Sequence, residues 1–206
     1  MRSKNNTRPS FLYEKSVEGE VLGIDEVGRG CVAGPVVAAG VILNNNINTC
    51  EINDSKKLSA VRREKVFTYL SSNCDYVVKL SSVEEIERIN ILEASLLAMR
   101  RVIKNVSNSK YNYIFVDGNI SPEPTMSNII NIISGDKKSL SIAAASIIAK
   151  VTRDSIMDRL DKKYPKYLWK KNKGYCTRYH IDAIRQYGIT PYHRKSFLRK
   201  VFSSTL

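Results

Sequence analysis

Apolar positions along this chain fall into short continuous runs that alternate with longer helical periods. Residues 20–25 and 35–43 are runs of apolar and small side chains, the second behind a Gly34-Pro35 break, and both predict buried strands. Residues 59–71 predict a helix and residues 74–80 a further strand. Ser82-Val83-Glu84-Glu85 places a glutamate three positions after a serine, the pattern that caps a helix start. A helix is therefore expected from there to about Val106, with an interruption near Asn90. Residues 111–116 predict a strong strand that ends at Asp117-Gly118, and residues 129–133 a short one. One long helix is expected from Ser139 to about Lys163. Its first half is small and apolar (Ala143, Ala144, Ala145, Ile147, Ile148), which suits close packing on a sheet. The alternation predicts an α/β fold with a mixed β-sheet flanked by helices.

With 206 residues the chain is long enough to bury a core. The reading divides it into an N-terminal tail (1–18), a main domain (19–163) and a C-terminal helical segment (164–206). No apolar run approaches the roughly 18 residues of a membrane span, and the first ten residues lack the apolar stretch of a secretory signal. A cytoplasmic protein without a membrane partner is expected. Cys31, Cys50, Cys74 and Cys176 show no metal-type spacing and fit free thiols in a reducing compartment. No heptad pattern argues for an oligomer, so a monomer is expected.

Charge changes the picture. The formal net charge is +13, and residues 162–206 hold twelve of the 33 Lys and Arg against a single acid, Asp182. The same stretch carries Tyr164, Tyr167, Trp169, Tyr175, Tyr179, Tyr187, Tyr192, Phe197 and Phe202. Basic and aromatic groups interleaved in this way suit a surface that follows phosphates and packs on sugars or bases. A small helical bundle with aromatic core residues and a solvated basic face would give the same pattern.

Against that basic background stands Gly23-Ile24-Asp25-Glu26-Val27-Gly28-Arg29-Gly30, two adjacent acids running into a glycine-arginine-glycine turn. Acids facing a phosphate backbone are repelled unless a cation lies between, which points to metal-dependent chemistry on nucleic acid. Asp25 and Asp117 are expected at strand ends, where ligands gather in open α/β sheets. Asp136 follows Gly135 in the loop that feeds the long helix. Crowded carboxylates resist ionising, and bound Mg²⁺ or Mn²⁺ reverses this. Neighbours on a regular strand point to opposite faces, so Asp25 and Glu26 share one ion only if the strand breaks there, or if Glu26 acts through water or its backbone carbonyl. A non-catalytic nucleic-acid binder would leave these acids without a purpose; a DNA-directed nuclease of the same fold would use them.

Seven ordered blocks resemble the ribonuclease HII family, the bacterial type 2 ribonucleases H. They are residues 23–37 (GIDEVGRGCVAGPVV), 54–59 (DSKKLS), 90–100 (NILEASLLAMR), 116–119 (VDGN), 135–154 (GDKKSLSIAAASIIAKVTRD), 174–177 (GYCT) and 193–197 (HRKSF). The resemblance implies a ribonuclease H-like fold and endonucleolytic cleavage of RNA paired to DNA. It extends to a single ribonucleotide embedded in duplex DNA, cut on its 5′ side to leave 3′-hydroxyl and 5′-phosphate ends. It assigns the metal and catalytic acids to Asp25, Glu26, Asp117 and Asp136, the junction-sensing turn to Gly28-Arg29-Gly30 and a sugar-stacking ring to Tyr175. Arg29 matches type 2 rather than type 3 enzymes. Lys56, Lys57, Lys150 and Arg153 are further expected substrate contacts, and Asp154, four residues after Lys150, is expected in a helix ion pair rather than on a metal. His180 and His193 lack metal-type partners, and His193-Arg194 is expected to fix the C-terminal segment.

Overall fold

A computed structural model describes residues 8–203 apart from 45, 54 and 57. Five strands form one sheet: β1 (Val21–Val27), β2 (Val36–Ile42), β3 (Asp75–Ser81), β4 (Tyr113–Asp117) and β5 (Ile129–Ile132). Their order is β3-β2-β1-β4-β5. β2 pairs antiparallel with both β1 and β3, whereas β1–β4 and β4–β5 are parallel. The sheet is therefore mixed, as the alternating pattern predicts. The short link between β1 and β2 suits antiparallel neighbours; parallel β1 and β4 need a crossover, which the intervening helices supply. β1 runs two residues beyond the expected end, through Glu26 and Val27.

Helices α1 (Ala60–Asn73), α2 (Val83–Asn105) and α3 (Leu140–Lys163) flank the sheet. Because strand side chains alternate, β1 and β2 feed two cores. On one face Val37, Ala39 and Val41 pack with Ala143, Ala144, Ala145, Ile147 and Ile148 of α3. On the other, Leu22, Ile24 and Ala38 pack with Ala98, Met99, Val102 and Ile103 of α2. The small residues of α3 let its backbone lie close to the strands, so every side chain from Ser141 to Ala149 is buried.

α2 starts where the capping pattern places it: the Ser82 hydroxyl accepts from the Glu85 N–H, and the Glu85 carboxylate accepts from the Ser82 N–H. The expected interruption is a kink at Asn90, with φ 65° and ψ 170°. Its Oδ1 accepts from the N–H groups of Leu92 and Glu93 at 2.9 and 3.2 Å. Asn90 thereby caps the second half of the helix, a role its short amide serves well.

Three short helices follow: α4 (Trp169–Asn172), α5 (Arg178–Tyr187) and α6 (Lys195–Ser203). They share a core of Tyr167, Trp169, Ala183, Ile184 and Leu198 with Met157 of α3 and with Val32 and Ala33. The C-terminal rings divide between two duties: Trp169 is fully buried, while Tyr175 and Tyr179 are 43% and 71% exposed. Among the described residues no helix is long and apolar enough to cross a membrane.

Candidate active site

The β1–β4 register pairs Ile24 with Val116, so one step further along both strands sets Asp25 beside Asp117. Both then face α3, as Asp25 is paired with Ala39 of the α3-side core. Asp136 joins them from a 3-10 turn, Gly135–Lys137, that leads into α3. The Gly135 N–H donates to Asp117 Oδ1 at 2.6 Å, tying the turn to the strand end. The turn is tightly packed: a Cβ on Gly135 would sit 2.5 Å from Ile142 Cδ1, so that side chain would have to move aside.

Glu26 projects differently. β1 does not break until Gly28, so Glu26, paired with Ala38 of the α2-side core, points to the face opposite Asp25. One of its oxygens accepts from Arg29 Nη1 at 3.2 Å. The other, Oε2, is buried and has no hydrogen-bond partner.

The electrostatics are those of acids in want of a cation. Asp25, 5% exposed, is held well above the usual carboxylate range by burial, then by the charges of Glu26 and Asp117. Burial also raises Glu26, against the pull of Arg29. Asp117 is raised by burial, opposed by the Gly135 N–H and raised again by Asp136. Among the described residues, no three His, Cys, Asp or Glu side chains are already gathered around one cation-sized point. Two of the four acids are instead turned to bases: Glu26 to Arg29, and Asp136 to Lys56 Nζ at 3.3 Å. The donor set is all carboxylate oxygen, the preference of hard divalent ions. With an unpartnered buried oxygen and three acids that burial discourages from ionising, these residues fit such an ion.

Beside the acids lies the turn after β1. Gly28 has φ +101°, and a Cβ on it would strike the Arg153 side chain and lie 2.8 Å from Pro35 O. Around Gly30, by contrast, a Cβ would meet nothing within 4 Å, so its backbone is open to a ligand. Tyr175 is brought to the same turn because the N–H groups of Val32 and Ala33 both donate to Gly174 O, at 2.9 and 3.2 Å. Burial, followed by the neighbouring Cys31 thiol, raises the Tyr175 phenol. His180 Nδ1 lies 2.8 Å from Tyr175 O. Arg194 clamps the far side, its guanidinium donating to Gly34 O at 2.8 and 3.0 Å and to Arg29 O at 3.0 Å.

The remaining expected contacts separate. Lys56 lies at the acids, its side chain 79% exposed, while Lys57 falls outside the described residues. Lys150 is paired with Asp154 at 2.7 Å, and Asp154 also meets Arg63 at 3.5 Å. Arg153 corrects the expectation of a substrate contact. It is fully buried and donates to the carbonyls of Pro35, Lys173 and Ala33 at 3.0, 2.9 and 3.0 Å, so its donors face protein rather than phosphate. Two supporting residues escaped the sequence reading. The Ser146 hydroxyl lowers the Asp25 carboxyl by hydrogen bonding, and it lies 2.9 Å from the buried Ser55 hydroxyl. Ser146, a polar residue inside the small apolar run of α3, was the available signal.

Known proteins resemble this chain in sequence and in fold. The family model described as Ribonuclease HII matches residues 22–205. A ribonuclease HII of Fusobacterium nucleatum is 49% identical over 201 residues, covering 95% of this chain and 93% of its own. That of Wolbachia pipientis from Culex pipiens is 46% identical over 190 residues, covering 92% and 95%. Among solved structures, ribonuclease H2 of Pyrococcus horikoshii superposes with a TM-score of 0.69 at 29% identity, over 90% of this chain and 98% of its own. A Bst-RNase HIII solved with Mn²⁺ has a TM-score of 0.73 over 90% and 70% at 15% identity, a likeness of fold alone. This chain, with Asp25 and Asp117 side by side on adjoining strands of a mixed five-stranded sheet, belongs to the ribonuclease HII family and is a metal-dependent endoribonuclease.

Proposed function

We propose that this chain hydrolyses the RNA strand of RNA–DNA hybrids and cuts on the 5′ side of single ribonucleotides embedded in duplex DNA, leaving 3′-hydroxyl and 5′-phosphate ends, with Mg²⁺ or Mn²⁺ as cofactor. The observation that carries the reading is Asp25 beside Asp117 on one sheet face, the first buried and the second partly so, and both held above the usual carboxylate range. Divalent ions at such a site activate a water and steady the leaving oxygen of a phosphodiester. Asp25 and Asp117 are the principal holders, with Glu26 and Asp136 completing the set, Glu26 through water or its backbone carbonyl because its side chain leaves β1 on the other face.

Other residues select the substrate. The open backbone at Gly30, beside Arg29, admits a ribose, whose 2′-hydroxyl is what separates RNA from DNA. The half-exposed Tyr175 ring offers a flat apolar face to the next sugar, where an added hydroxyl would not fit. Lys56, exposed next to Asp136, and the basic C-terminal surface follow the phosphates. The nucleic-acid partner is thus a duplex that changes from RNA to DNA along one strand.

The test uses two duplexes with Mg²⁺, one carrying a single ribonucleotide and one all DNA. Cleavage confined to the first, at the 5′ side of the ribonucleotide, is expected; cutting of both would replace the reading with a DNA-directed nuclease. Asp117→Asn should lower the rate by more than about 100-fold and leave hybrid affinity intact, because it removes a metal-holding group and no sugar or phosphate contact.

A further inference from the structure

Glu14 stands outside the span matched by the family model, in the stretch that the sequence reading left as a tail. In the fold this stretch is strapped across the start of α3. Phe11 packs against the α3-side core, and Tyr13 and Val17 against Phe115 and Ile142. The Ser10 N–H donates to Lys138 O at 3.1 Å, and Ser10 bridges to Ser139. Glu14 Oε1 then collects three donors: Ser139 Oγ at 2.6 Å, Ser141 Oγ at 2.7 Å and the Ser141 N–H at 3.0 Å.

The Ser10 and Glu14 contacts fall on one short piece of backbone, 138–141, which begins two residues after Asp136. On its other side the same turn is tied to Asp117 through the Gly135 N–H. Within it, the N–H groups of Lys138 and Ser139 both return to Gly135 O at 2.9 Å. The Ser139 hydroxyl gives its proton to Glu14 and accepts from the Ile142 N–H, so the helix cap and the strap share one atom. A carboxylate at a helix N-terminus is favourably placed by the local dipole. Here it also sets where the helix begins, and with it the turn that holds Asp136.

From this geometry we infer that Glu14 is a positioning residue for Asp136: the N-terminal strap fixes the turn so that the Asp136 carboxylate meets a divalent ion at the acid site. The inference rests on Asp136 as a metal-holding acid, as proposed above. Groups that orient ligands without touching the metal govern affinity through preorganisation.

The experiment measures Mn²⁺ binding to the full chain by titration calorimetry, alongside the Mn²⁺ concentration for half-maximal cleavage of an RNA–DNA hybrid. Glu14→Gln should weaken Mn²⁺ binding about three- to tenfold and raise the half-maximal concentration by a similar factor. At saturating Mn²⁺ the KM for hybrid should stay unchanged. Ser141→Ala removes one donor to Glu14 without altering any charge, so a smaller loss in the same direction marks a positional effect rather than a loss of negative potential. If Glu14→Gln does not fold, Ser141→Ala carries the test alone. Asp136→Asn is the reference. Weakened binding in Asp136→Asn with unchanged binding in both strap variants, even at reduced thermal stability, overturns the strap's role alone. Unchanged Mn²⁺ binding in Asp136→Asn removes the metal-holding reading of Asp136 and the inference with it.

Discussion

Arg153 of the long helix reaches Pro35, the residue before β2, its Nε 3.0 Å from the Pro35 carbonyl oxygen. Its other two donors meet Ala33 O and Lys173 O, so a buried cation is neutralised by carbonyl dipoles from two distant segments. Arg153→Ala would leave three carbonyls without this donor and open a cavity, a loss on the order of 3–5 kcal/mol. Arg153→Lys cannot reproduce the planar fork and should recover only part of it. Urea unfolding at neutral pH measures both; a wild-type midpoint for Arg153→Ala would show that the fork holds nothing together.

Gly28 and Gly30, two positions apart, differ in the room around them, and the proposed function predicts that their substitutions separate stability from substrate reading. Gly28→Ala must place a side chain at φ +101° against Arg153 and Pro35. A cost of about 1–3 kcal/mol is expected. Gly30→Ala has room and should keep the melting temperature, while the added methyl obstructs a ribose and lowers kcat/KM on ribonucleotide-containing duplexes. Equal melting losses in the two variants would contradict this division.

Tyr175→Ala should reduce cleavage at an isolated ribonucleotide more than cleavage within a long hybrid. Stacking on a base or sugar is worth roughly 1–3 kcal/mol, so the ratio of the two activities should change about tenfold. Tyr175→Phe keeps the ring and should keep the ratio. An unchanged ratio in Tyr175→Ala would take the ring out of junction reading.

The histidine pair predicts a pH dependence. Trp169 Nε1 donates to His180 Nε2 at 2.9 Å, the Thr190 N–H donates to His193 Nδ1 at 2.8 Å, and the two Nε2 atoms lie 3.1 Å apart. This pattern needs both rings neutral, with His193 Nε2 donating to His180 Nε2 and His180 Nδ1 to Tyr175 O. Burial lowers His180, and burial followed by His180 lowers His193 to about 4. The folded state then binds fewer protons than the unfolded chain between about pH 4 and 6.5. Their contribution is complete above about pH 6.5 and is lost as pH falls toward 4. Urea midpoints at pH 7.5, 6 and 5 should decline in the wild type and decline less in His193→Gln.

Much of the sheet was legible because its signals are local. The runs at β2 and β4, the Ser82–Glu85 box and the Asn90 interruption each depend on residues within a few positions of one another. What escaped depends on partners far along the chain. Arg153 reads as a surface base on a helix until Pro35, 118 positions earlier, is placed beside it. Glu14 gives no hint of Ser141 at a separation of 127. The extra length of β1 comes from Glu26 and Val27 pairing with Ala38 and Val37, which no run of apolar residues at that point foretells. For the candidate site, the acidic residue types and strand ends were visible, whereas the hand-off of Glu26 to Arg29 and of Asp136 to Lys56 was not.

The Arg194 clamp carries a consequence for biosynthesis. Gly34 leaves the ribosome 160 residues before the guanidinium that grips it. A nascent chain therefore carries Asp25, Glu26, Asp117 and Asp136 while the turn from Gly28 to Gly34 is still unfastened, and a product truncated before residue 194 would lack the guanidinium that holds that turn.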